Sequence, residues 1–138
     1  MDKITIYAGG ASKGNPGPAV IRVLVVDSKG NTVLEVSESI SNASSDYAEY
    51  FAVVRALQAI VEKLGEKTKD TEFELKIESE LVMNHLRAKA EIKDVSLIGH
   101  FIEIYNLRVA SFPNLKLTLV ETGQNKEVAS LVKAALDA

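Results

Sequence analysis

Ile4-Thr5-Ile6-Tyr7-Ala8-Gly9-Gly10-Ala11-Ser12-Lys13-Gly14-Asn15-Pro16-Gly17-Pro18 decides the fold. Lys3–Ala8 alternates and is rich in β-branched residues, so it predicts a first strand with one face in a core. The glycines and prolines after it predict a tight loop. Ala19–Asp27 follows, almost wholly apolar through Val20, Ile21, Val23, Leu24, Val25 and Val26, as a central strand requires. Ser28-Lys29-Gly30-Asn31 reads as a hairpin turn, and Thr32–Glu38 returns with alternation. Three strands in a row therefore open the chain.

Beyond a polar loop the period changes. Within Asp46–Leu64, Tyr50, Val54, Leu57, Val61 and Leu64 recur at spacings of three and four, the stripe of an amphipathic helix that Gly65 is placed to end. Glu72–Ile77 alternates as a fourth strand, and a short helix is expected near Glu80–Arg87. Leu97–Ala110 predicts a third helix, with Phe101 and Tyr105 at core spacing. Asn114–Val120 predicts a fifth strand and Lys126–Leu136 a closing helix. The expected class is α/β: a five-stranded mixed sheet, an antiparallel meander plus parallel strands, flanked by helices.

The 138 residues suit a single domain, 1–138, long enough to bury a sizeable core, and 46% of them are hydrophobic. A net charge of −3 and a pI of about 5.4 argue against tight nonspecific nucleic-acid binding, although a local basic face is compatible with them. With no cysteine, disulfides and thiol catalysis are excluded. No apolar run approaches the roughly 20 residues of a membrane span, and the N-terminus lacks a signal-peptide pattern. No membrane partner and a cytoplasmic location are the expectations.

The opening strand and its Gly-Asn-Pro-Gly-Pro loop resemble the start of ribonuclease H, type 1. Ser44-Ser45-Asp46-Tyr47-Ala48-Glu49 is similar to the family's Thr-Asn-Asn-x-Ala-Glu, Ile77-Glu78-Ser79-Glu80-Leu81-Val82 to its Asp-Ser-x-Leu-Val, and Asn125–Leu131 to its Asn-x-x-Ala-Asp-x-Leu. The resemblance spans nearly the whole chain and implies a ribonuclease H-like fold. It also implies that the first and fourth strands lie side by side, ending at Gly9 and Glu78, with a site beyond their carboxyl ends.

Ribonuclease H holds two divalent ions there with three aspartates and one glutamate, because ions about 4 Å apart need several converging carboxylates. At the four corresponding positions this chain has Gly9, Glu49, Glu78 and Ala129. Only Glu49 is unchanged. Glu78 is one methylene longer than aspartate, a misplacement of the order of 1 Å that can cost about 100-fold in rate. The family's flexible-loop histidine is also missing. The expectation is a catalytically inactive or severely impaired domain that requires no cofactor, with magnesium or manganese relevant only to residual activity.

Other readings of these residues stay open. Gly9 and Gly10 would permit a tight turn with unusual dihedrals. Asp46 and Glu49 fit a helix N-cap and its capping-box partner. Glu78 and Glu80 suit a solvated strand-to-helix junction, while Glu49 and Glu78 would make at most a weak cation site. His85 and His100 lack any telling partner and read as structural or surface residues. The resemblance implies nucleic-acid contact by Ser12, Lys13, Gly14, Asn15, Ser45 and Asp46, and a basic feature in which Arg87 and Lys89 fall, beside His85 and Lys93. RNA/DNA hybrid or other nucleic acid is the implied partner. The alternatives are an active endoribonuclease with a site rebuilt from Glu49, Glu78, Glu80 or Glu121, and a protein-interaction or self-association module.

Overall fold

A computed structural model describes residues 2–121. Strands β1 (Lys3–Ser12), β2 (Gly17–Asp27) and β3 (Thr32–Ala43) precede helix α1 (Ser45–Leu64). Then come β4 (Glu72–Ile77), α2 (Glu80–Leu86), α3 (Ile98–Ser111) and β5 (Leu115–Leu119), with 3-10 turns at Gly65–Asp70 and Val95–Leu97. The sheet order is β3-β2-β1-β4-β5: β1, β2 and β3 pair antiparallel, whereas β4 is parallel to both β1 and β5. This is the expected five-stranded mixed sheet. The predicted closing helix and Ala129 lie outside the described residues.

The β2–β3 turn forms because Asp27 Oδ1 accepts from the backbone N–H groups of Lys29 and Asn31, each at 2.9 Å, while Gly30 takes φ 84°. On β1 the alternation buries Ile4, Ile6, Ala8 and Gly10 on the face that receives α1. Tyr50, Val53, Val54, Leu57 and Ile60 meet that face, each essentially inaccessible to solvent, together with Phe73, Leu75 and Ile77 of β4. Burial of each such side chain contributes about 1.5–3 kcal/mol before chain entropy is counted. On the opposite sheet face Val20 and Leu24 form a smaller cluster with Tyr7, Ala11 and Val26. Gly65 ends α1 in the left-handed region, φ 56°, as expected of a glycine there.

Three expectations need correction. First, β1 does not end at Gly9 but runs on to Ser12, because β2 continues to pair with it from Gly9↔Arg22 to Ser12↔Ala19. Gly9 and Gly10 are therefore ladder residues, and the left-handed glycines among the described residues are Gly14, Gly30 and Gly65. Gly10 is needed for space: a Cβ there would stand 2.4 Å from the Ala48 carbonyl oxygen. Second, the N-cap of α1 is Ser44, whose hydroxyl accepts from the Tyr47 N–H at 3.1 Å, so Asp46 falls in the first turn and Glu49 beyond the capping box. Third, Tyr105 is not a core residue. It is 58% exposed, while Phe101 packs against the core as predicted.

Candidate functional site

The β1–β2 loop and the start of α1, about 30 residues apart in sequence, are bound into one rim. Gly14 takes φ 86°, and the Lys13 N–H donates to the Pro18 carbonyl at 2.7 Å. Gly17 is buried so closely under the loop that a Cβ would come within 2.0 Å of the Lys13 carbonyl oxygen. This tight path carries the Asn15 side chain to α1, where its Oδ1 accepts from the Ser45 N–H at 3.1 Å. Beside it the Ser12 and Ser45 hydroxyls share a hydrogen bond of 2.9 Å. The structure thus brings together Ser12, Asn15 and Ser45. Lys13, Gly14, Asn15 and Asp46 stand exposed on this rim.

The rim borders the carboxyl ends of β1 and β4. Glu49, one turn into α1, accepts a hydrogen bond from the Gly10 N–H at 3.2 Å, a contact that the missing Gly10 side chain leaves open. Burial pushes the Glu49 carboxyl up to about 7; the Gly10 N–H opposes the shift, and the negative charges of Glu78 and Asp46 add to it. Glu78 follows β4 directly, near enough for its charge to act on Glu49. Gly9 adds no oxygen ligand from its side chain. Among the described residues no group of three or more His, Cys, Asp or Glu side chains converges as metal ligands. Glu49 and Glu78 are the two acidic residues of the four site positions, fewer than the several converging carboxylates that a pair of magnesium ions with near-octahedral oxygen coordination demands. Glu80, the first residue of α2, is exposed next to its Ser79 N-cap, as the junction reading expects.

Arg22 adjoins Gly9, and the sequence reading passed over it as part of an apolar strand. It is the cross-strand partner of Gly9, so the two residues sit side by side on the sheet face away from α1. Its Nε is buried without a hydrogen-bond partner. A lone cation in the run Val20–Val26 was the available signal. Only the pairing register shows that it adjoins the position lacking a carboxylate.

The second implied binding feature is less coherent. Arg87 caps α2 and donates to the Leu117 carbonyl of β5 at 2.8 Å, which ties the helix to the sheet edge. Lys89 is exposed beyond it. His85 is buried, with Nδ1 2.6 Å from the Tyr50 hydroxyl, and burial raises the Tyr50 pKa. His100 packs edge-on to Tyr47 at 4.6 Å between ring centres and tilted against Phe51 at 5.6 Å; its burial lowers its pKa, opposed by Glu103. Both histidines are structural within α-helical packing.

Such a sheet, with its two parallel strands added to an antiparallel meander, defines the ribonuclease H-like fold class. A family model described as reverse transcriptase-like matches residues 7–135. The chain is 30% identical over 135 residues to the Ribonuclease HI of Halobacterium salinarum, covering 98% of this chain and 65% of that protein. It spans 36% of a bifunctional protein of Mycobacterium tuberculosis, at 30% identity. The structure of LC11-RNase H1, isolated from compost by a metagenomic approach, superposes with a TM-score of 0.91 at 36% identity, covering 99% of this chain and 97% of that one. The chain belongs to the ribonuclease H family.

Proposed function

We propose that this domain binds an RNA/DNA hybrid through the Ser12–Asn15 and Ser45–Asp46 rim without the family's two-metal cleavage. One observation carries the reading. The polar rim is assembled by hydrogen bonds between two distant segments, while the centre beside it has Gly9 in place of an oxygen ligand. Support for the partner comes from LC11-RNase H1, 35% identical to this chain, which has been solved in complex with an RNA/DNA hybrid. Lys13 and Arg22 supply positive charge for phosphates on either side of Gly9, and Lys89 adds a more distant one. No cofactor takes part in this binding. Magnesium or manganese enters only through residual cleavage at Glu49 and Glu78.

Fluorescence anisotropy of a labelled hybrid, titrated at two salt concentrations with magnesium present, tests the binding. Affinity that falls steeply with salt is expected, together with an uncut hybrid on a denaturing gel. Rapid cleavage would replace this reading with that of an enzyme whose site is rebuilt from Glu49, Glu78, Glu80 or Glu121. An absence of binding at low salt would leave a protein-interaction module.

A further inference from the structure

His85 is held by one edge of its ring and leaves another edge to a groove. Its Nδ1 lies 2.6 Å from the Tyr50 hydroxyl, and the two rings stack at 5.8 Å between centres. Tyr50 is wholly buried, and that burial keeps its hydroxyl protonated. Among the described residues His85 Nδ1 is the one partner of the hydroxyl. Were Nδ1 to carry the imidazole proton, the hydroxyl could only accept, and its own proton would stand orphaned in the core. The hydroxyl therefore donates to Nδ1, and the ring proton sits on Nε2. No group among the described residues accepts that proton. His85 is only 4% exposed, and it lines a groove of 430 Å³.

The end of α2 shapes this groove. The Ala88 N–H donates to the His85 carbonyl at 3.1 Å and the Lys89 N–H to the Asn84 carbonyl at 2.8 Å, which closes the helix in a left-handed turn. Ala88 takes φ 58° there, a position that glycine fills more readily. The turn brings Lys89, Ala90 and Glu91 beside His85, and Ile92 and Phe101 complete the lining. Ala88 and Ala90 contribute one methyl group each, so the groove stays open where larger side chains would close it. One fixed polar donor among apolar and aromatic groups is the composition of a small-molecule site.

We propose that the groove binds a small aromatic oxyanion, an aryl phosphate or aryl carboxylate. His85 Nε2–H and the Lys89 ammonium take the anionic group, and Phe101 and Ile92 meet the ring. The Tyr50 bond sets the tautomer of His85, so Nε2 is a donor with no lone pair to offer, and its ligand must bring an acceptor. That requirement favours an oxyanion over a metal ion. Lys89 adds attraction from the exposed side, and Glu91, the one carboxylate of the lining, opposes it. The groove shares no residue with the Ser12–Asn15 and Ser45–Asp46 rim, so its ligand is independent of hybrid binding.

NMR of the whole chain tests this in two stages. In long-range proton–nitrogen correlation, His85 is expected to carry its proton on Nε2 and none on Nδ1. Phenyl phosphate and benzoate, titrated separately, should then shift the Ala88–Ile92 and Phe101 amides and the His85 Nε2 resonance. The better of the two should bind with a dissociation constant on the order of 1 mM, as befits a ligand of this size, and so name the head group. Ala90→Trp, on an exposed turn, should fill the groove and abolish the shifts with an unchanged circular dichroism spectrum. Should that variant misfold, Lys89→Gln, expected to weaken binding about threefold, and Glu91→Gln, expected to strengthen it, give the same reading. A proton on Nδ1 overturns the proposal. So does the absence of shifts with either probe at about 20 mM, or binding indifferent to Ala90→Trp, Lys89→Gln and Glu91→Gln.

Discussion

The rim and the centre of the candidate site lie a few residues apart and are built on opposite physical terms. In the rim, Asn15 meets the Ser45 N–H and Ser12 the Ser45 hydroxyl to join the β1–β2 loop to α1, and within the loop region the Lys13 N–H meets the Pro18 carbonyl. The centre is different: Glu49 is half-buried, accepts from the Gly10 N–H and feels the negative charge of Glu78, and the Arg22 Nε has no acceptor. Neutral hydrogen bonds keep their geometry without a ligand, whereas buried charges need a counter-charge to offset desolvation. The hydrogen-bonded rim therefore holds its shape whatever stands at the neighbouring site positions.

The largest expected effect comes from restoring the centre. Gly9→Asp with Glu78→Asp and Ala129→Asp should give metal-dependent hybrid cleavage at least about 100-fold above the parent protein, read on a denaturing gel, since placement errors alone cost about that much. A folded but inert triple variant would sever the centre from the ribonuclease H alignment. Next is Gly10→Ala, whose Cβ meets the Ala48 carbonyl oxygen at 2.4 Å. Forcing strand and helix apart should cost about 3 kcal/mol in urea denaturation, and a loss below about 1 kcal/mol would show that α1 yields.

Glu49 gives a pH-dependent version of the same test. Its folded pKa of about 7 lies above the ordinary 4.5, so the native state binds the proton more tightly than the unfolded chain. The stability held below pH 4.5 should decline as pH rises through 7, by up to about 3 kcal/mol, and Glu49→Gln should flatten that decline. A wild-type-minus-variant difference that grows with pH would reverse the sign and refute the raised Glu49 pKa. The smallest effect is expected for Arg22→Gln, which should reduce the salt slope of hybrid binding by about one, with little change in stability. An unchanged slope would remove Arg22 from the groove.

Much of this was legible along the chain. The alternation of Lys3–Ala8, the apolar run Val20–Val26 and the three-four spacing from Tyr50 to Leu64 are local patterns, and they placed the strands and the long helix. Tyr105 shows where such patterns stop. Its spacing from Phe101 fits a core stripe, but α3 has apolar residues on two sides and periodicity alone cannot say which side meets the sheet. Gly9 and Gly10 show the same limit in a strand, since a glycine pair reads as a turn until a neighbouring strand is seen to pair through it.

The sequence by itself determined the order of the elements, the polar loop at the end of the first strand, and the identities at the four site positions, because each is a property of neighbours along the chain. Tertiary structure alone decided that Asn15 reaches Ser45, that Glu49 is buried against the Gly10 N–H, that Arg22 lies beside Gly9, and that one apolar stripe of α3 faces solvent. Those facts depend on strand register and on the face a helix turns to the sheet. Both are settled by packing between residues remote in sequence, where burial and desolvation, rather than local propensity, fix the outcome.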